Sequence, residues 1–386
     1  MSEYQYYEFT AIDRPLTRAE MADLSAVSTR ATITPTSFVN HYEWGDLKAD
    51  PAKWMRRYFD AFVYTANWCS CRLALRVPRD VFGEAELKRF ATKYAMTIDE
   101  SADHWIIDWS LDEGEDYDRF GMEDGGGWMG RLVPLRDELL RGDLRPLYLG
   151  WLAGAASGEV PETGLEPDVP PGLLQLSGPQ QALVEFLEID PDMLAAAAAG
   201  SPSIVAPDMD AGDGIDTWLG GLSCDDMRAP LKQILQGQPH QAERQLKSRF
   251  LTWQKQHPQT TASSARQRRS VAELRTLAEA AGGVRLEHQA KERARQEAER
   301  RRQREAYLRL LAADFEKCWN AIHLQAERGT ASAYDQALRA MVDLAEAYTL
   351  TSSRETFDRE LRRFLGRHAK RGALVRRLVK AGLWEA

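Results

Sequence analysis

Along the first hundred residues the apolar positions switch repeatedly between period two and a helical period. Residues 4–12 place Tyr7, Phe9 and Ala11 on one face and Tyr6, Glu8 and Thr10 on the other, the alternation of a half-buried strand. Thr17 and Glu20 then form a capping box, behind which Met21, Leu24 and Val27 recur at helical spacing. The β-branched and aromatic run 32–44 predicts one or two strands, with Pro35 at an edge or an end. Asp50-Pro51 supplies an N-cap and a first-turn proline, and Trp54, Tyr58, Ala61, Phe62 and Thr65 form the stripe of the helix it opens. A strand over 69–77, a short helix over 84–94 and a strand over 105–111 follow. The order β-α-β-β-α-β with an appended α-β predicts an α+β sandwich of ferredoxin-like type.

Beyond an acidic loop at 112–124, helices over 132–140 and 144–155 close this aromatic-rich domain, taken as 1–156. Prolines and glycines among acids at 157–171 read as a surface linker. Helices at 180–187 and 191–199, the second capped by Asp190, sit in a stretch with few large apolar residues. The acidic region 157–228 is therefore expected to lean on a neighbour. From 229 to 386 the pattern predicts a helical, basic domain. Residues 259–269 read as a connector, Ser270 and Glu273 as a capping box, and about 286–323 as one long helix. Its first half is charged at i and i+4 spacing, and its second carries the stripe Leu310, Leu311, Phe315, Cys318, Trp319 and Ile322. Helices at 333–348, 353–368 and 372–383 close a small bundle on that stripe.

Charge changes this picture more than composition does. With 44% hydrophobic and 28% charged residues, the chain has the make-up of a globular protein. No apolar run approaches the roughly 20 residues of a membrane-spanning helix. The start lacks a basic stretch followed by an apolar one, so a cytoplasmic location without a membrane partner is expected. From Pro146 to Met227 there is no lysine, arginine or histidine. Residues 1–230 hold 19 Lys and Arg against 40 Asp and Glu, whereas 231–386 hold 31 against 18. Asymmetry of this kind is a statement about partners. It predicts an interaction or adaptor protein within a multi-protein assembly, its partners being other proteins.

Candidate chemistry is sparse. Gly125, Gly127 and Gly130 fit G-x-G-x-x-G, but seven surrounding carboxylates would repel a phosphate, and no parallel-sheet unit follows. Asp208, Asp210, Asp213 and Asp216 resemble a calcium loop whose spacing fails at positions five, six and twelve. Cys69, Cys71, Cys224 and Cys318 form neither a disulfide framework nor a zinc pattern. His41, Glu43, Asp46 and Lys48 are the densest cluster of acid-base groups, enough for a base and its orienting partner in an enzyme of unknown class. A strand end, a Gly45 turn and a helix entry account for them better, because no nucleophile or Gly-rich oxyanion turn stands alongside. No catalytic residue, metal or cofactor is predicted. The basic segment 264–304 carries Arg266, Arg268, Arg269, Lys291, Arg293, Arg295, Arg300, Arg301, Arg302 and Arg304, which could line a nucleic-acid backbone. Interleaved glutamates and few aromatics favour a solvated helix or a docking arm for an acidic surface.

Several word-like stretches resemble an uncharacterised bacterial protein family. At the front they are Tyr6-Tyr-Glu-Phe9, Ala11-Ile-Asp-Arg-Pro-Leu-Thr17, Ile33-Thr-Pro-Thr-Ser-Phe38, Trp44-Gly-Asp-Leu-Lys48 with Asp50-Pro51, Tyr58-Phe-Asp-Ala61 and Ala66-Asn-Trp68. At the end they are Tyr334-Asp-Gln-Ala337 with Asp343-Leu344, and Arg367-His-Ala-Lys370 leading to Ala381-Gly-Leu383. The tail is also similar to the helical ends of some SWIM-type zinc-finger proteins, although the finger's own Cys and His pattern is missing. The resemblance implies no activity and no functional residues.

Overall fold

The computed structural model describes residues 4–112, 126–203, 212–237 and 268–384, with a few helical positions between 242 and 253. The chain divides into two compact units, Met1–Gly283 and Val284–Ala386. The first begins with β1 (Gln5–Thr10), α1 (Arg18–Val27), β2 (Thr32–Thr34), β3 (Ser37–Tyr42), α2 (Pro51–Arg57) and β4 (Ala61–Ala66). Then come β5 (Cys71–Pro78), α3 (Glu84–Lys88), β6 (Met96–Glu100) and β7 (His104–Leu111). All seven strands join one sheet in the order β2-β3-β1-β4-β5-β7-β6, antiparallel throughout. The first six elements, with strand order 2-3-1-4, are the ferredoxin-like arrangement. Strands β5, β7 and β6 widen it beyond β4.

The helix opened by Asp50 is shorter than its apolar stripe predicts. Asp50 caps it through the Ala52 amide at 2.9 Å, but it ends at Arg57, and Ala61, Phe62 and Thr65 belong to β4. Asp60 makes the break. Its buried carboxylate accepts from the amides of Ile12 (2.6 Å) and Asp13 (2.9 Å) and from Arg76 Nη2 (2.6 Å), tying this turn to β5 and to the end of β1. Nearly every position of β4 is buried, so it lacks the alternation that marks a strand.

One face of the sheet packs Phe9, Phe38, Phe62, Ala74 and Ile106 against Leu24 of α1 and Trp54 and Met55 of α2. Phe9 stacks on Phe62 at 4.3 Å, and Trp54 meets Phe38 edge-on at 4.8 Å. The other face packs Val63, Leu73, Leu75, Ile107 and Trp109 beneath α4 (Trp128–Leu132), α5 (Pro134–Leu140) and α6 (Arg145–Ala156). The same core continues through α7 (Gly178–Phe186) and α8 (Pro191–Ala199), where Leu183, Phe186, Met193 and Ala196 are buried. Residues 160–200 are thus part of the first unit rather than a linker, and the division falls at Gly283 rather than at 156 and 228. Small side chains explain the difference. Ala196, Ala197 and Ala198 contribute little apolar area each, yet let α8 approach its neighbours closely. After α9 (Gly212–Gly220) and α10 (Cys224–Leu235), the chain returns to this core, where Val271 and Leu274 are buried.

Helix α11 (Val271–Ala312) starts with the capping box Ser270/Glu273 and runs through the division at Gly283. Instead of continuing to 323 it stops at Ala312. Asp314 accepts from the Lys317 amide at 2.9 Å and so caps a new helix, α12 (Phe315–Arg328). Helices α13 (Ala331–Thr351), α14 (Arg354–His368) and α15 (Gly372–Lys380) complete the second unit. Its core joins Trp319, Ile322, Met341, Leu344, Phe357, Leu361, Phe364, Leu374 and Leu378. Among the described residues no helix is long and apolar enough to cross a membrane.

Candidate functional site

The structure distributes the predicted arginines among different tasks. Arg266 lies outside the described residues. Arg269 faces inward, donating through Nε to Glu166 Oε2 (2.7 Å), through Nη2 to Oε1 (2.8 Å) and through Nη1 to the Ala196 carbonyl (2.9 Å). Glu166 also accepts from the Tyr148 hydroxyl and is almost wholly buried. Arg268 pairs with Asp168 at 3.0 Å, near the surface. Both are therefore occupied by the acidic stretch that the sequence set against them. In the second unit Arg304 donates to Asp343 (2.6 Å) and Glu346 (2.7 Å) of α13 and lies over the Tyr307 ring. Arg293, Arg300, Arg301 and Arg302 are exposed, and no ion pair or hydrogen bond among the described residues engages them. Lys291 and Arg295 make only long contacts, 3.7 and 4.0 Å, to Glu287 and Glu292 of their own helix. At 3.6 residues per turn, three consecutive arginines point about 100° apart. The charge wraps the helix as a sleeve, with Glu292, Glu297, Glu299 and Glu305 set into it.

Among the described residues no hydrogen bond or ion pair joins the members of the acid-base cluster to one another. His41 stacks against Tyr4 with ring centres 6.2 Å apart, Glu43 and Lys48 are exposed, and Asp46 accepts from Gln5 Nε2 at 2.7 Å. Gly45, at φ +79°, makes the turn between β3 and α2. Cys69 sits in the β4–β5 turn, and Cys71 donates its thiol to the Phe186 carbonyl at 2.9 Å. Gly125 of the glycine motif and Asp208 and Asp210 of the calcium-like loop lie outside the described residues. No group of three or more His, Cys, Asp or Glu that could hold a metal ion occurs among the described residues.

A different site appears where the sheet outgrows its helices. Helices α1 and α2 cover the ferredoxin-like half of one face, and beside them lies an open cleft of about 410 Å³. Cross-strand register builds its floor. Tyr7, Tyr64, Arg72 and Ser110 stand opposite one another on β1, β4, β5 and β7, and Asp108 lies one row along beside Thr97. Arg72 Nε donates to both oxygens of Asp108 (2.9 and 2.8 Å), and Nη2 to Oδ2 (2.6 Å). Burial pushes the Asp108 carboxyl upward, and the Arg72 hydrogen bonds oppose that rise. Tyr7 and Tyr64 both donate to Gln5 Oε1, at 2.8 and 2.9 Å, and burial with nearby Asp46 pushes Tyr7 up to about 12. Pro51, Lys93, Tyr94 and Asp112 form the rim.

This cleft escaped the sequence because only strand pairing brings Arg72 and Asp108 together. A signal existed in the single charges inside the apolar runs Cys71-Arg-Leu-Ala-Leu75 and Trp105-Ile-Ile-Asp-Trp109. Comparison of the chain with protein-family models, with curated proteins and with solved structures yields no match.

Proposed function

We propose that the chain is a cytoplasmic interaction protein of a bacterial multi-protein assembly, in which the arginine-rich part of α11 docks on an acidic face of another protein. The observation that carries this is the set Arg293, Arg300, Arg301 and Arg302, exposed and without partners among the described residues. Desolvated cations in a fold end as paired ones, as Arg269 does, and cations left in water are available for steering and docking. The sleeve arrangement and its glutamates favour a protein surface of mixed charge over a continuous phosphate backbone. Tyr307, the aromatic nearest the arginines, hydrogen-bonds Asp343 at 3.1 Å rather than standing free to stack on a base. Nucleic-acid binding by 264–304 is the second reading, because unpaired arginines also suit phosphates. An enzyme centred on His41 draws no support from any hydrogen bond or ion pair among its candidate residues.

The test is affinity purification of the full chain from native lysate, with and without nuclease, beside the variant R300E/R301E/R302E. The expected result is a stoichiometric protein partner that survives nuclease and is lost from the variant. Recovery of nucleic acid alone, removed by nuclease, would support the second reading instead. A partner retained by the variant would overturn the role given to the arginines.

A further inference from the structure

We infer that the cleft on the open half of the sheet is a binding site for a small zwitterion with an aromatic body, of the size and charge of an aromatic α-amino acid. The argument begins with the ion pair on its floor. Arg72 and Asp108 stand where apolar side chains of similar volume would serve stability as well or better, since taking Asp108 and part of Arg72 out of water is costly. What the pair supplies is a guanidinium held still. Asp108 occupies Nε and one side of Nη2, and among the described residues Nη1 has no hydrogen-bond partner. The end of the fork is left for a second carboxylate, in the bidentate manner arginine favours. Because Asp108 already fixes the side chain, little further rotamer freedom is lost on binding.

The surrounding groups select the rest of the ligand. Asp108 is spent on Arg72, so among the described residues that line the cleft the remaining charges are Lys93, which lies over the Tyr94 ring at 4.7 Å, and exposed Asp112. One cation and one carboxylate at the rim, above a guanidinium in the floor, match a ligand with both a carboxylate and an ammonium. Asp112 is close enough to act electrostatically on both Arg72 and Tyr64. Tyr64 and exposed Tyr94 offer aromatic surface between these poles, and a volume of about 410 Å³ lies within the usual span of small-molecule sites.

Isothermal titration of the full chain with L-phenylalanine, phenethylamine, 3-phenylpropionate and inorganic phosphate tests this. L-Phenylalanine is expected to bind one to one, with the amine and the acid at least about tenfold weaker, as loss of one charged hydrogen bond implies. The double variant R72M/D108L, an apolar exchange that keeps the packing, is expected to retain its melting temperature and lose binding. Asp112→Asn, a surface change, should weaken L-phenylalanine to the level of 3-phenylpropionate and leave the acid's own affinity unchanged, which keeps the test decisive if the double variant fails to fold. No heat with L-phenylalanine at millimolar concentration, equal binding of 3-phenylpropionate or phosphate, or undiminished binding by a folded double variant overturns the inference.

Discussion

Arg268 and Arg269 are adjacent and chemically identical, and the structure gives them different energetic weight. Arg269 holds Glu166, only 2% exposed, through two donors, and its third nitrogen satisfies the Ala196 carbonyl. Arg269→Ala would leave a buried carboxylate without its countercharge, held by the Tyr148 hydroxyl alone, a loss of about 3–5 kcal/mol. Arg268 meets Asp168 where both side chains are well exposed, and Arg268→Ala should cost under about 1 kcal/mol. Urea unfolding followed by tryptophan fluorescence measures both, and similar losses for the two variants would contradict the assignment. Arg269→Lys should recover only part of the loss, because an ammonium cannot reproduce the fork. Counting charges along the sequence put both arginines in one basic segment. It could not separate them, because the difference lies in Glu166, a hundred residues away.

At the scale of elements, the second unit carries a proton-sensitive clasp between α12 and α14. His323 Nδ1 and His368 Nε2 are 2.8 Å apart, with ring centroids at 5.1 Å, so the nitrogens point at one another along a single hydrogen bond. One must be donor and the other acceptor, which requires that they not both be charged. Burial lowers both pKa values from 6.5, helped by Arg367 at each and by Arg371 and the paired ring at His368, while Glu327 opposes the shift. A lowered folded-state value means that the unfolded chain binds protons first. The clasp's stability is then complete above the unfolded value of 6.5 and is lost as pH falls below it. Melting temperatures of the full chain between pH 7.5 and pH 5, the range of a histidine switch, should fall more steeply for the wild type than for His368→Gln. Equal slopes would remove the clasp. Neither histidine stood out in the sequence, because each lies on an ordinary amphipathic helix and only the bundle pairs them. Local chemistry was legible elsewhere: the caps at Thr17, Asp50, Asp190 and Ser270 all form as their spacing implies. What stayed hidden were β4, β6 and the stop before Asp314; at the first and last of these one carboxylate interrupts an apolar pattern that reads as continuous helix. The cleft was hidden for the same reason as the clasp, since Tyr64, Arg72 and Asp108 meet only through register.

For the whole molecule, the division by charge and the division by packing agree in sign but not in place. Met1–Gly283 holds 28 Lys and Arg against 43 Asp and Glu, and Val284–Ala386 holds 22 against 15. Residues 160–200 of the acidic stretch that read in part as a linker are packed into the first core, and the basic stretch that looked like its counterpart is divided between the two units. Each unit has its own buried cluster, Ile107 lying in one and Ile322 in the other. Independent cores unfold as separate cooperative steps when their stabilities differ. Removing one methyl from a core isoleucine costs about 0.5–1.5 kcal/mol. For a unit of the smaller size each kcal/mol moves the melting temperature by about 4–8 °C, and for one of the larger size by about 2–4 °C. Calorimetry of Ile322→Val should therefore lower one transition by several degrees and leave the other in place. Ile107→Val should lower that other transition, by fewer degrees. If either variant moves both transitions together, the two cores are one cooperative system.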